Sequence, residues 1–346
     1  MRSARAGRTE HARDRWQRTS VRAALVARLA RVAYLAPVAL SAALPWAWFA
    51  VRDAIGPVTD VLAIALPAVV VLVAVAAVVG AVRRGRRRWL VPAASVLVLG
   101  GAAVLGPWLP EDTGPVAPGR AVTVVGANVM GTPEAADELL ALQADVLVVS
   151  EATDDLAPAL VPAYPYRERA VGGPEVAVYS RLPLRLLETQ APDLPGLRLE
   201  VAGPAGPFVL YALHVPRPWF TTVGAYQATV TEHHGIMRAL AGRVSGEALP
   251  VVVTGDLNTP DRGRDYREVL RDGGLVDAMR DGWGGYTSTG QWAPLLLRID
   301  HVLVSTGWCG DAPRRVPLPG SDHRAVAASV GPCNAAGTEP PLGSTR

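Results

Sequence analysis

Three long stretches without a charged residue occupy the first third of the chain, at 32–51, 61–82 and 89–109, with lengths of 20, 22 and 21 residues. A helix needs about 20 apolar residues to cross roughly 30 Å of hydrocarbon, so the pattern predicts three transmembrane helices. Pro37, Pro45 and Pro67 fall inside these stretches, where membrane helices tolerate proline better than soluble ones. Trp46, Trp48, Trp89 and Trp108 lie near their ends, where aromatic side chains anchor at the interface.

Beyond residue 109 the pattern changes. Residues 110–119 are rich in Pro and Gly and read as a linker. From 120 to 333 short runs rich in Val and Ile recur, and 121–125, 146–150, 176–179, 208–213, 251–254, 299–305 and 325–330 are predicted strands. Apolar positions at helical spacing predict helices over 133–143, entered through Thr132 and Pro133, and over 224–244. Strands mixed with helices point to an α+β or layered α/β domain of one core. Residues 334–346 read as a disordered tail.

The formal charge of +3 hides two opposite parts. Residues 1–109 hold 15 basic and 4 acidic residues, a net +11, whereas 110–346 hold 19 basic and 27 acidic, a net −8. Every basic residue is Arg. Within the first part, the arm 1–31 carries nine Arg and the segment 83–88 five, while 52–60 carries one Arg and two Asp. Arginine-rich short loops stay in the cytoplasm. The arm and the 83–88 loop are therefore expected inside, and everything after residue 109 outside. A cleaved signal peptide accounts less well for the first stretch, which exceeds the usual apolar length and is followed by two more. With two cysteines, the chain is neither a disulfide-rich scaffold nor a cysteine-based zinc site. Outside the membrane, Cys309 and Cys333 either pair or stay as inert buried thiols, the pair being the expectation.

The polar residues at the strand ends carry the candidate chemistry. Asn128 follows the first strand, Glu151 the second and His214 the fourth; Asp256 and Asn258 follow the fifth. Asp300 opens the sixth strand, and Ser321, Asp322 and His323 precede the last. Strand ends converge at a sheet edge, so residues distant in sequence can share one site. Taken singly, each is an ordinary cap or turn residue; in ordered series they describe a site. His301, next to Asp300, faces the other side of its strand and is expected to be structural. His233 and His234, on the second helix, are expected to be solvated or packed.

This series resembles the endonuclease/exonuclease/phosphatase superfamily, metal-dependent phosphoesterases that include DNase I-like nucleases, sphingomyelinases and inositol-phosphate phosphatases. The resemblance covers about 120–330 and rests on Asn128, Glu151, Gly255 to Asn258, Arg298 to His301 and Ser321 to His323, with Tyr179 to Pro183 similar to the family's middle strand and turn. It implies an α+β four-layer sandwich, two β-sheets flanked by helices, preceded here by the three membrane helices. It also implies a hydrolase in which Glu151, Asn128 and Asp322 are metal ligands, and oxygen-rich ligation suits Mg²⁺ or Mn²⁺. Asp256 would orient or deprotonate water, Asn258 hold a phosphate oxygen, His323 act as base or donor fixed by Asp300, and His214 donate to a phosphoryl or leaving oxygen. Two positions depart from the pattern: Met130 stands where some members carry an acid, and Ala325 where a proline is common.

The net −8 argues against a long nucleic-acid partner, because proteins binding such polyanions usually present Lys and Arg. Arg217, Arg262, Arg264 and Arg298 offer a local basic rim, Trp219 and Phe220 lie just after His214, and Trp283 and Trp292 flank a Gly-rich loop. Ordinary loop packing explains these tryptophans equally well. Arg217, Trp219 and Arg298 are the expected substrate-binding residues, suited to a phosphate headgroup with an apolar tail. Bacterial members with three spans and an exterior domain are similar to this chain, including the glycopeptide-resistance type that acts on polyprenyl pyrophosphates. The expected protein is a multi-pass cell-membrane phosphoesterase acting on a lipid phosphate such as undecaprenyl pyrophosphate. An exterior nuclease and a catalytically silent, membrane-tethered binding domain are the alternatives.

Overall fold

A computed structural model describes residues 54–82, 90–170, 175–219, 226–289 and 296–334, together with single positions between 26 and 52. The chain divides into a unit of Met1–Val51 with Val70–Gly100 and a unit of Arg52–Val69 with Gly101–Arg346. Two helices among the described residues, α1 (Pro57–Val82) and α2 (Leu90–Leu105), belong to the apolar region. Thr59–Ala76, and Leu90–Trp108 with a short 3₁₀ turn at its end, are long and apolar enough to cross a membrane. They coincide with the second and third predicted spans. Most of the first span, the arm, the 83–88 loop and the tail beyond Asn334 lie outside the described residues.

In the second unit the strands run β1 (Val122–Asn128), β2 (Val146–Ser150), β3 (Tyr166–Arg169), β4 (Ala177–Ser180), β5 (Leu184–Glu188), β6 (Gly196–Gly203) and β7 (Gly206–His214). They continue as β8 (Arg217–Trp219), β9 (Gln227–Thr229), β10 (Val251–Asp256), β11 (Leu275–Asp277), β12 (Asp300–Ser305), β13 (Trp308–Pro317) and β14 (Arg324–Pro332). One sheet has the order β13-β14-β1-β2-β4-β3 and the other β11-β12-β10-β7-β6-β5, with β8 and β9 as a separate ribbon. Each large sheet contains one parallel pair, β1 with β2 and β7 with β10, among antiparallel neighbours. The carboxyl ends of a parallel pair leave the sheet at one edge, and that is where the polar residues gather.

The period of two in these strands sends alternate residues to different layers. Val122, Val124, Val146 and Val148 meet Leu197, Leu199, Phe208 and Leu210 between the sheets. Val125, Leu147 and Val149 turn outward against Leu139, Leu156 and Leu160, beside the short helices α3 (Ala136–Ala141) and α4 (Ala157–Leu160). On the far side Tyr211, Leu213, Val251 and Val253 pack under α5 (Val230–Ser245) and α6 (Arg264–Gly273) through Met237, Leu240, Tyr266 and Val269. Burying both faces of these strands explains their near-continuous apolar runs. The result is the expected four layers: helix, sheet, sheet, helix.

Several element bounds differ from expectation. The helix expected at 224 begins at Val230, because the Thr229 hydroxyl accepts from the Glu232 N–H while the Glu232 carboxylate accepts from the Thr229 N–H. That reciprocal capping box fixes the start of the helix, and Gln227–Thr229 is strand instead. The helix expected over 133–143 is a 3₁₀ turn, Pro133–Ala135, running into the six-residue α3. Cys309, on β13, and Cys333, just past β14, form the expected disulfide with a Cα separation of 4.9 Å.

Candidate active site

Asp256, the last residue of β10, stands in register with His214 on β7 and with Asp300 on β12. Residues paired across a sheet share a face, so the three side chains form one row at the sheet edge. Bringing β10 and β7 together at this point requires Gly255: it has φ +130°, and a Cβ there would lie 2.0 Å from the Leu213 carbonyl oxygen. Across from this row, Asn128 ends β1 in register with Ser150 on β2, which delivers Glu151 one residue later.

Hydrogen bonds tie the two edges together. The Asn128 Nδ2 amide donates to Glu151 Oε1 at 3.0 Å and to Asp256 Oδ2 at 2.9 Å, while its Oδ1 accepts from the Met130 N–H at 3.0 Å. In this orientation Asn128 is a strut between two carboxylates. His214 Nε2 lies 3.8 Å from Glu151 Oε1 and 3.9 Å from Asp256 Oδ2. His323 Nδ1 meets Asp300 Oδ2 at 2.9 Å, and its Nε2 faces Asp256 Oδ2 at 3.8 Å and Asp322 Oδ1 at 3.7 Å. Asn258 donates its backbone N–H to Asp256 Oδ1 and its side-chain amide to the Val215 carbonyl, which closes the loop onto the end of β7. Met130, Glu151 and Asn258 all have φ near +50°. Backbone in this region is disfavoured for Met130 and Glu151 and tolerated by Asn258.

The electrostatics follow from burial and like charge. Burial raises the Asp256 carboxyl above its ordinary range, and neighbouring Asp300 adds to the effect against the pull of His323 and His214. For His323, burial acts to lower the imidazole, but Asp300 and Asp256 outweigh it and push it up to about 10. His323 is therefore an imidazolium at neutral pH in the metal-free protein. His301, by contrast, is pushed down to about 4, chiefly by burial and then by Arg298, and its Nε2 bonds the Thr259 carbonyl. It is neutral and structural, as expected.

The row also depends on two residues that strand-end reading missed, Thr287 and Tyr226, and on Ser321, to which it gave no role. The Thr287 hydroxyl accepts from the N–H groups of Ile299 and Asp300, which fixes Asp300 from behind. The Tyr226 hydroxyl donates to the His214 carbonyl, and its ring lies 4.5 Å from the imidazole. Burial, aided by Asp256, raises this phenol far above its ordinary value, so it stays a donor. Ser321 Oγ donates to the Asn128 carbonyl and accepts from the His323 N–H. Only Ser321 carried a sequence signal, as part of the Ser-Asp-His run.

The expected basic rim is largely absent. Arg298 is wholly buried, 2.6 Å from Asp277 and 3.6 Å from Asp261; it braces the interior and does not reach substrate. Arg262 is buried as well, and Arg264 is paired with Asp60. Arg217 is half-buried on β8, while the Trp219 side chain, Phe220 and Trp292 lie outside the described residues. Trp283 is half exposed and packs edge-on against Trp108. His233 is packed, within the expectation, and His234 is partly exposed; both imidazoles meet the Asp265 carboxylate, at 2.9 and 2.6 Å.

The residues present suit a hard divalent cation. Asp256, Asp300 and, with its imidazole neutral, His323 each offer a ligand atom within 4.8 Å of the others. Asp300 Oδ1 is buried without a hydrogen-bond partner, and the Glu151 side chain is 39% exposed beside them. Carboxylate oxygens at this density, with a buried one left unsatisfied, call for positive charge.

A sandwich of two sheets whose parallel pairs converge on carboxylates, an amide and imidazoles has the architecture of metal-dependent phosphoester hydrolases. Residues 127–323, more than half of the chain, match the model of the Endonuclease/Exonuclease/phosphatase family; the chain belongs to that family. No curated protein matches the sequence. Among solved structures, it is similar to an endonuclease/exonuclease/phosphatase from Beutenbergia cavernae DSM 12333, at 18% identity and TM-score 0.49, covering 62% of this chain and 72% of that one. Sphingomyelinase C from Streptomyces griseocarneus is 20% identical with TM-score 0.45, covering 62% and 99%. Humanized D. rerio TDP2 is 14% identical with TM-score 0.47, covering 61% and 99%. The family assignment rests on the matched segment rather than on these likenesses.

Proposed function

We propose that this chain is a membrane-anchored phosphoesterase, dependent on Mg²⁺ or Mn²⁺, that hydrolyses phosphate esters or pyrophosphates of membrane lipids at the exterior face. Undecaprenyl pyrophosphate is the candidate substrate. The observation that supports it best is the row His214–Asp256–Asp300, with His323 and Glu151 against it, in a chain that also carries helices apolar enough to span a bilayer. Within the bilayer the polyprenyl tail would be solvated and the pyrophosphate would stand at its surface.

Glu151 would be the principal metal ligand, with Asp322 as the further carboxylate. Asn128 would join through Oδ1 only by turning its amide over and releasing the Met130 N–H. The bound ion would supply charge neutralisation on phosphoryl oxygens and a Lewis acid for the attacking water. In the chain's own chemistry, Asp256 would orient water and take its proton, being buried at the end of β10 with Oδ2 toward His214 and His323. His323, held through Nδ1 by Asp300 with Nε2 toward Asp256, would donate to a phosphoryl oxygen. His214 sits between Glu151 and Asp256, where it can donate to a second oxygen.

The test is a panel of lipid pyrophosphates, phospholipids and DNA, each with Mg²⁺, presented to the full chain in detergent. Turnover of a lipid phosphate supports the proposal. Hydrolysis of DNA alone would replace it with an exterior nuclease.

A further inference from the structure

The loop that follows Asp256 is fastened on its inner side by Leu257 N–H to the Ile299 carbonyl, by Asp261 N–H to the Arg298 carbonyl and by the Asn258 amide to Val215. Its outer end is fastened to the apolar helix α1. Arg262, 3% exposed, donates from Nε to the Ala63 carbonyl at 2.5 Å and from Nη2 to the Ile64 carbonyl at 3.2 Å, with Nη1 on Leu296 O. Arg264 adds an ion pair to Asp60, one turn earlier on α1, at 2.6 Å. Ala63 is a telling choice of partner. A helical carbonyl accepts from the N–H four residues on, and four residues after Ala63 stands Pro67, which has none. Ala63 is itself buried, and a buried carbonyl without a donor is costly. The guanidinium of Arg262 supplies the missing donor. The space left between loop and helix is only about 10 Å³, lined by Asp60, Ile64, Pro218, His233, Pro260 and Arg264 among others. That is too small for a bound molecule.

We propose that Arg262 is a positioning residue: by capping the carbonyl that Pro67 leaves unpaired, it makes α1 a working support of the loop that leaves β10 at Asp256 and carries Asn258. The helix is then part of the site's scaffold as well as its anchor. The inference rests on the reading of Asp256 and Asn258 as catalytic.

The test is a double-mutant cycle in the full chain in detergent, comparing wild type, Arg262→Met, Pro67→Ala and the pair. Two quantities are read: kcat and KM on a soluble chromogenic phosphodiester with Mn²⁺, and hydrogen exchange of the backbone in 257–264. Arg262→Met should lower kcat about tenfold or more, with KM changed far less, because misplacing a reacting group costs rate. It should also accelerate exchange in the loop. Pro67→Ala restores an N–H that competes for Ala63, so it weakens the same bond. The combined loss should therefore fall short of the product of the single losses by about threefold or more. If Arg262→Met does not fold, Arg262→Lys, which keeps donors on a single nitrogen, should show the same coupling at smaller size. Wild-type kcat and exchange in the Arg262 variants, or losses that multiply, would overturn the proposal. A wild type with no phosphoesterase activity would instead refute the reading of the site, and the exchange cycle would still decide on the clamp.

Discussion

His323 and Asp300 set the protonation of the site between them. Asp300→Asn keeps the size of the side chain but removes the charge that, with Asp256, outweighs burial and holds His323 at about 10. The variant should lose about a hundredfold in rate and, unlike the wild type, lose more as pH rises through neutrality, because His323 then deprotonates. A pH–rate profile no different from wild type would contradict the donor role. The same shift bears on stability. A group raised above its ordinary 6.5 contributes stability that is fully present below that value and lost as pH climbs toward 10. The metal-free wild type should therefore lose more of its thermal midpoint between pH 7 and 10 than metal-free His323→Gln. Gly255 is the second sensitive position. With φ +130° and only 2.0 Å between the place a Cβ would take and Leu213 O, Gly255→Ala must part β10 from β7, at a cost of about 3 kcal/mol or more by denaturant unfolding.

Among the elements, α5 and the β13–β14 pair invite measurement. Thr229→Ala removes one half of the capping box and should cost about 1 kcal/mol, whereas Thr231→Ala, inside the first turn, should cost less. Reducing the disulfide that bridges 24 residues should cost about 3 kcal/mol, read as the shift in unfolding midpoint with and without reductant. The strands bearing the site were legible because both their faces are buried and their runs are apolar throughout. Others were not. β13 carries Pro313, Arg314 and Arg315 on a partly exposed edge, a composition that reads as loop. β6 was readable in principle, since Leu197, Leu199 and Val201 alternate with Arg198 and Glu200. Likewise the site's acids and imidazoles announced themselves by their position at strand ends. Arg298 misled because its partners, Asp261 and Asp277, lie 37 and 21 residues away in sequence and only the fold brings them together. Thr287 and Tyr226 act through single hydrogen-bonding groups that no local pattern foretells.

For the molecule as a whole, the division of charge outlasts the loss of the basic rim. A net +11 before residue 110 and −8 after it leave the family domain acidic, and Arg262, Arg264 and Arg298 are now accounted for by internal partners. On the proposed function, that weakens the case for a long polyanionic substrate and would leave the metal to handle phosphate. Glu151 is the residue on which this turns, being the half-exposed acid at the end of β2, tied through Asn128 to Asp256. The most direct measurement is phosphate release from undecaprenyl pyrophosphate in lipid vesicles, with wild type and Glu151→Ala, in Mg²⁺ or Mn²⁺ and in chelator. The expected result is metal-dependent release by the wild type, abolished by chelator and reduced about a thousandfold by Glu151→Ala. Release that persists in chelator, or that survives Glu151→Ala undiminished, would contradict the account.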